Sequence, residues 1–380
     1  MQTRDAATAR PRVCFLYIAQ AHHVPHSLSV AMELARARPD IAVDVAVTSA
    51  EVLAYAREAA GRLGAAELGW RLLGPAWLRA LHGSDGVPMK VPMLAANAPT
   101  LAGYDVIVAP ERTTALLRRL GLRARLVYTQ HGAGDRAGPF EPRLRRFDLV
   151  FAAGPKQRDR MVAEGLVEPQ RCAVVGYPKF DFIDRLQPAP PRLFARARPT
   201  VLYNPHFSAT LGSWPAWGRG ILERFASQDR YNLIFAPHLR LFGSRPARDV
   251  QALAAYVGHP GIHIDLGDTP AAIDMTYVQA ADLYLGDVSS QIYEFLRQPR
   301  PCLFLNPRQT PWRDDESFRH WRFGPVVDRL DALFLALDDA AASHPAFRPA
   351  QEEGFAQTFS VTDERPSRRA AQAIAGLVGR

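Results

Sequence analysis

The sequence predicts an α/β protein built from parallel sheets, and three observations carry that expectation. Short, continuous apolar runs recur along the chain, the first being Val13-Cys-Phe-Leu-Tyr-Ile-Ala19, and such runs suit strands buried on both faces. Helical segments alternate with them, and polar or glycine-bearing turns close many of the runs. The pattern then restarts after the proline cluster Gln187-Pro-Ala-Pro-Pro191, a linker signal that places a domain boundary there. A chain of 380 residues also suits two cores better than one.

The composition is that of a folded globular chain, with 48% apolar and 22% charged residues, which excludes disorder as the default. The net charge of +8 points to an anionic partner: nucleotide, polyphosphate, nucleic acid or acidic lipid surface. Cys14, Cys172 and Cys302 are far apart in apolar runs and read as reduced core residues, with neither a disulfide framework nor a zinc spacing. No signal-type apolar segment opens the sequence and no run reaches the ~20 apolar residues of a membrane span. The expected location is cytoplasmic.

After the first strand comes a loop with His22, His23 and His26, then a helix from about Ser27 to Arg38 and a strand Ile41 to Val47. No G-x-G-x-x-G follows the first strand, which disfavours a dinucleotide dehydrogenase. The three histidines invite a metal, but no carboxylate completes a ligand set at helical spacing; no D-x-D motif calls for a donor-bound metal, so metal-independent chemistry and no resident cofactor are expected. From Glu51 to His82 the pattern is mainly helical, with Gly83 as its stop. Residues 69–82 interleave Trp70, Leu73, Trp77, Leu78 and Leu81 with Arg71 and Arg79, so this stretch either packs on the core or lies on an anionic membrane surface. Gly74-Pro75 should break or kink it.

Tyr104 to Ala109 reads as a strand, Glu111 to Leu120 as a helix, and Arg125 to Gly132 as a strand ending in His131-Gly132. A parallel sheet presents its chemistry at carboxyl strand ends, and an imidazole there can take a proton from an alcohol near neutral pH. His131 is therefore the candidate general base. Strands Leu149 to Ala152 and Cys172 to Val175 flank a basic helix, Lys156 to Glu164.

Past the linker, strands are expected at Thr200 to Tyr203, Asn232 to Ala236 and Ile262 to Asp265, with helices near Trp217 to Ser227, Asp249 to Val257 and Pro270 to Gln279. His206, His238 and Arg240 fall at strand ends and suit donation to a diphosphate. The stretch Asp282 to Leu296 reads as strand, polar turn and helix, with Ile292, Phe295 and Leu296 on the inner face. Ser289 and Ser290 lie where that helix begins, so hydroxyls, free N–H groups and helix dipole favour an anion, for which phosphate is the obvious guest. Asp287 and Ser289 are equally good N-cap residues. Glu294 stands one turn further on, in reach of a ribose hydroxyl. A last apolar run, Cys302 to Leu305, and an arginine-rich helix, Arg365 to Leu377, complete the chain.

The ordered set His131-Gly132, Gly176-Tyr-Pro-Lys-Phe-Asp181, Leu202-Tyr-Asn-Pro205, Pro237-His238, Asp287-Val-Ser-Ser290 and Ser367-Arg-Arg resembles the CDP-glycerol glycerophosphotransferase family. The resemblance spans roughly Arg123 to Ala375. It implies a GT-B-like architecture: two Rossmann-like domains facing a cleft, an acceptor domain 1–187, a nucleotide-donor domain 188–364, and a terminal helix 365–380 packing back on the first domain. It implies a CDP-activated donor whose diphosphate is held near His238, Arg240, Ser289 and Ser290. Asn204, Asp287 and Glu294 would serve the nucleotide and ribose, and Gly132, Lys179 and Asp181 would line the cleft or hinge.

A hydroxyl of a glycan or lipid-linked acceptor would attack the β-phosphorus with His131 as base, releasing CMP. Such a protein would be cytoplasmic, with peripheral contact at the inner membrane face through residues 69–82. Val288 replaces the family's usual aromatic, Glu294 its aspartate, and Pro237-His238 reverses its His-Pro order, which leaves the donor open. The rivals are a GT-B glycosyltransferase or epimerase using a sugar nucleotide, and a non-catalytic binder of phosphorylated polymer or membrane. Nucleic acid is not expected, since the arginines are dispersed and no RNA or DNA module appears.

Overall fold

The computed structural model describes residues 10–18, 20–64, 66–82, 88–135, 140–186, 192–242, 250–267 and 269–378. The linker prolines, the expected stop at Gly83 and Asp249 at the start of one expected helix lie outside these residues. The chain forms two compact units. The first comprises Met1–His131, Phe140–Pro188 and Gln357–Arg380, the second Gly132–Pro139 and Ala189–Ala356.

The first unit holds seven parallel strands: β1 (Arg12–Tyr17), β2 (Ala42–Val47), β3 (Gly69–Leu72), β4 (Val106–Ala109), β5 (Arg125–Tyr128), β6 (Leu149–Ala152) and β7 (Cys172–Val174). They lie in the order β3-β2-β1-β4-β5-β6-β7. The second holds β8 (Thr200–Asn204), β9 (Asn232–Phe235), β10 (Ile262–Ile264), β11 (Leu283–Gly286), β12 (Cys302–Leu305) and β13 (Val326–Val327), in the order β10-β9-β8-β11-β12-β13. Each sheet is thus doubly wound, with two strands on one side of its first strand and the rest on the other. In such sheets ligands bind beyond the carboxyl ends of the strands where the direction of winding reverses. Those points are β1/β4 and β8/β11.

The apolar runs form these strands because both faces are covered. Cys14, Leu16, Ile107, Leu126 and Val150 are fully buried in one core, and Val201, Tyr203, Leu233, Phe235, Leu285 and Leu303 in the other. Cys14 and Cys302 are buried and Cys172 half-buried, all free thiols, and burial pushes Cys172 up to about 11. Around the first sheet lie α1 (Leu28–Ala37), α2 (Ala50–Leu63), α3 (Ala76–Arg79), α4 (Lys90–Leu101), α5 (Pro155–Ala163) and α6 (Pro178–Leu186). The second unit has α7 (Trp214–Ala226), α8 (Thr276–Ala280) and α9 (Gln291–Phe295), followed by α10 (Leu333–Thr358) and, back in the first unit, α11 (Pro366–Ala375). Helix α11 packs on α1 and α6.

Several local expectations give way. Residues 69–82 do not form one helix: Gly69–Leu72 is an edge strand paired with β2, Gly74 turns the chain at φ 76°, and α3 is a single turn. The apolar residues divide accordingly, with Leu73 and Leu78 buried and Trp77 67% exposed. No continuous amphipathic face exists there to lie on a membrane, and among the described residues no helix is long and apolar enough to cross one. The helix expected at Glu111 to Leu120 is 3-10 over Arg112–Arg118, and Pro270 to Gln279 divides into a 3-10 turn and α8.

Candidate functional site

In the first unit the reversal point gathers imidazoles. The 3-10 helix Ala21–His26 follows β1, and His131 stands just past the end of β5. The rings of His23 and His131 are 4.5 Å apart, those of His22 and His23 4.2 Å, and those of His26 and His131 6.5 Å. His131 Nδ1 lies 2.7 Å from the carbonyl of Pro110. A carbonyl only accepts, so Nδ1 carries the hydrogen and Nε2 keeps its lone pair. Burial holds the imidazole below its ordinary pKa, opposed by the nearby Glu111 carboxylate. The ring is therefore neutral at pH 7, the form a base requires.

The backbone before this histidine is clamped. Gln130 adopts φ 62°, a conformation uncommon outside glycine. Its side-chain amide donates to the carbonyl of Phe151 at 2.6 Å and its Oε1 accepts from Gln157 at 3.2 Å. Gln157 in turn accepts from the backbone of Ala153 at 2.9 Å. Around the cluster, Glu111 receives the Lys90 ammonium at 3.3 Å and lies 3.6 Å from His23 Nε2. His26 is held below its ordinary pKa first by burial and then by the positive charge of Lys179, which is buried in the first turn of α6.

In the second unit Asn204 and Gly286 are register partners across β8/β11. Asn204 donates to the carbonyl of Ala236 at 2.6 Å and accepts from Ser289 Oγ at 3.0 Å. Ser289 Oγ also receives the amide of Gln291 at 3.3 Å, so this hydroxyl is absorbed by the fold. Ser290 caps α9 without a side-chain cap bond and is the more accessible of the pair. Asp287 is buried, its carboxylate accepting from the amides of His206 at 2.9 Å and Ser213 at 2.6 Å and from Ser213 Oγ at 2.9 Å. Burial raises it to about 6 against those bonds. It holds two loops together, and both its oxygens are used within the domain rather than offered to a ribose.

His238 and Arg240 follow β9. His238 Nδ1 receives the amide of Arg240 at 3.2 Å, its ring lies 5.7 Å from that of His206, and the exposed Arg240 guanidinium rests 4.3 Å over Phe207. Glu294 is buried in α9. That helix has five residues, too few to sum the macrodipole expected of it. Any anion there would be held by hydroxyls and loop amides instead.

The segment after His131 belongs to the second unit and sits on the serine turn. A Cβ on Gly132 would meet Ser290 Oγ at 3.3 Å, and one on Gly134 would meet Ser290 Cβ at 2.8 Å. Asp135 fixes this segment by accepting from Tyr293 OH at 2.5 Å, with His320 Nδ1 3.2 Å away. His320 Nε2 and Trp321 Nε1 reach the carbonyl of Asp287 at 3.1 and 3.2 Å. Sequence reading missed Asp135, Tyr293 and His320, since no periodic pattern marks a pairing across 185 residues. Asp181 accepts from the amide of Ser367 at 2.8 Å and so caps α11, which ties it to the last helix.

No protein-family model matches the chain, and no curated protein matches it in sequence. Solved structures do. A Listeria monocytogenes protein provisionally named UDP-N-acetylglucosamine 2-epimerase matches with TM-score 0.61 at 16% identity, covering 97% of this chain and 96% of that one. A single-residue variant of the wall teichoic acid polymerase TagF, soaked with CDPG, gives 0.62 at 11% identity over 97% and 87%. The UDP-GlcNAc 2-epimerase of Neisseria meningitidis, bound to UDP-GlcNAc, gives 0.54 at 11% identity over 97% and 99%. At these identities the likeness is one of fold: the chain is a GT-B-like α/β protein.

Proposed function

We propose that this protein is a transferase that moves a glycerophosphate, or a related polyol phosphate, from a CDP-activated donor to a hydroxyl of a glycan or lipid-linked acceptor. His131 Nε2 takes the proton of the acceptor alcohol, the alkoxide oxygen bonds to the β-phosphorus, the bond from that phosphorus to the bridging oxygen breaks, and CMP leaves. Ser290, His238 and Arg240 hold the diphosphate, and Asp287 holds the loops that carry them.

One observation carries this reading: a neutral imidazole, tautomer fixed by Pro110, directly precedes the glycine segment that packs on Ser290. The motif order and the likeness to TagF favour a CDP donor over other nucleotides. A second reading, epimerisation of a UDP-sugar, draws support from the two epimerase structures.

The test is incubation with CDP-glycerol and, separately, UDP-GlcNAc, following nucleotide release and sugar epimerisation. CMP release that falls 10²–10⁴-fold in His131→Ala, about the range for loss of a general base, supports transfer. Epimerised UDP-sugar without CMP release establishes the second reading. An unchanged rate in His131→Ala removes the base assignment.

A further inference from the structure

We infer that His22, His23 and His131 form a binding site for a divalent transition metal of the zinc class, and that a metal there silences the proposed transfer. One ring nitrogen from each lies within 4.8 Å of the other two. In a tetrahedral zinc site with Zn–N near 2.0–2.1 Å, ligand nitrogens stand roughly 3.3 Å apart, so closure needs ring adjustments of about an ångström and no rebuilding.

Two of the three ligand atoms can be named. His131 Nδ1 is occupied by Pro110, leaving Nε2. His23 Nε2 faces the Glu111 carboxylate at 3.6 Å, leaving Nδ1, which is buried with no hydrogen-bond partner. A ligating imidazole normally gives its other N–H to a carbonyl or carboxylate; His131 already does so to Pro110 at 2.7 Å, and His23 has the Glu111 carboxylate within 3.6 Å for the same purpose.

Three imidazoles select zinc, cobalt, nickel or copper over magnesium or calcium. The His26 ring stands 6.5 Å from that of His131 and is not one of the three converging groups, and the fourth position falls to water or an anion. Lys90 and Lys179 repel a cation and Glu111 attracts it, so the affinity should be micromolar rather than that of a structural site.

The inhibitory consequence rests on the reading of His131 as base, because Nε2 has one lone pair and cannot hold a metal and a proton together. The test uses tag-free, chelator-stripped protein. Cobalt absorption and zinc competition against a chromophoric chelator are measured for wild type, His22→Ala and His23→Gln, with circular dichroism as the check on folding.

One equivalent per chain is expected in wild type, weakened at least tenfold in each folded variant. No saturable binding at tens of micromolar zinc, or binding indifferent to both substitutions, overturns the site. In the second arm CMP release from CDP-glycerol is followed against zinc. Half-inhibition should track the measured affinity and move at least tenfold in His22→Ala, each protein being normalised to its own metal-free rate. Metal bound with transfer unimpaired overturns the inhibition and the base assignment together. Should CDP-glycerol fail as donor, the first arm alone still decides the metal site.

Discussion

The contact between the glycine segment and Ser290 makes Gly134→Ala a sharp probe of the second unit. An added methyl would stand 2.8 Å from Ser290 Cβ and 3.3 Å from its Cα. Carbon atoms rest at about 3.5–4.0 Å, so roughly 0.7–1.2 Å must be recovered by displacing Ser290 or the segment. Overpacking of this kind costs about 1–3 kcal/mol, or about 3–10 °C in Tm for a domain of this size. Gly134 is not among the positive-φ glycines, so alanine suffers no backbone penalty and the effect is steric alone.

Displacing Ser290 by even part of an ångström should weaken donor binding and slow transfer, since misplacing a reacting group by 1 Å can cost about 10²-fold in rate. Gly61→Ala is the control. It lies inside α2 with nothing within 4 Å of its Cβ position, and should stabilise by about 0.5–1 kcal/mol. Thermal unfolding with and without CDP-glycerol reads both effects. If Gly134→Ala melts at or above wild type and binds the donor unchanged, residues 132–135 do not pack on Ser290 and the reasoning fails.

Acid should destabilise the first unit. His23, His26 and His131 have folded pKa values depressed by burial, whereas the unfolded chain titrates near 6.5. Between those values the unfolded state binds more protons, so stability is fully present above about pH 6.5 and is lost as pH falls below it. Denaturant midpoints measured from pH 8 to 5 should decline below 6.5, and a flat series would contradict the buried neutral cluster. The serine pair should separate by role. Ser289→Ala, which removes the bond to Asn204, should cost about 1 kcal/mol of stability, while Ser290→Ala should leave stability alone and weaken CDP-glycerol roughly tenfold or less. Calorimetry of both variants checks this, and reversal of the two effects would show that the hydroxyls had been assigned the wrong way round.

The parallel strands were legible because burial on both faces writes a continuous apolar run into the sequence, and so was the place of His131 past the end of β5, because it follows such a run. Helix α10 was not. It carries Pro345 and Pro349, which normally argue against a helix interior. Tertiary contacts override them: Gln351, fully buried, donates to the carbonyls of Arg300 at 3.0 Å and Phe323 at 2.8 Å. The strand at Gly69 was hidden for a related reason. Its glycine exists because any Cβ would fall 1.7 Å from Asp44 Oδ1, and Asp44 must reach Arg12, Arg71 and Tyr104. Local pattern cannot report a requirement set by a neighbour 25 residues away.

The same limit applies to the histidine cluster. Read along the chain, His22, His23 and His26 lack a carboxylate at helical spacing. In the fold, Glu111 enters from the end of β4 and His131 from the end of β5, because the sheet reverses its winding beside β1. The acid and the third imidazole come from sequence positions about 90 and 110 residues distant. A doubly wound sheet gathers the loops that leave its central strands, so once the strand order β3-β2-β1-β4-β5 is known the convergence is a consequence of topology. The second unit repeats this logic at β8/β11, where Asn204 and Asp287 meet the serine turn. Two sheets of one winding order thus bring different side chains to equivalent positions, and with identities of 11–16% to the structural neighbours the shared fold does not choose between the proposed transfer and epimerisation; the side chains must.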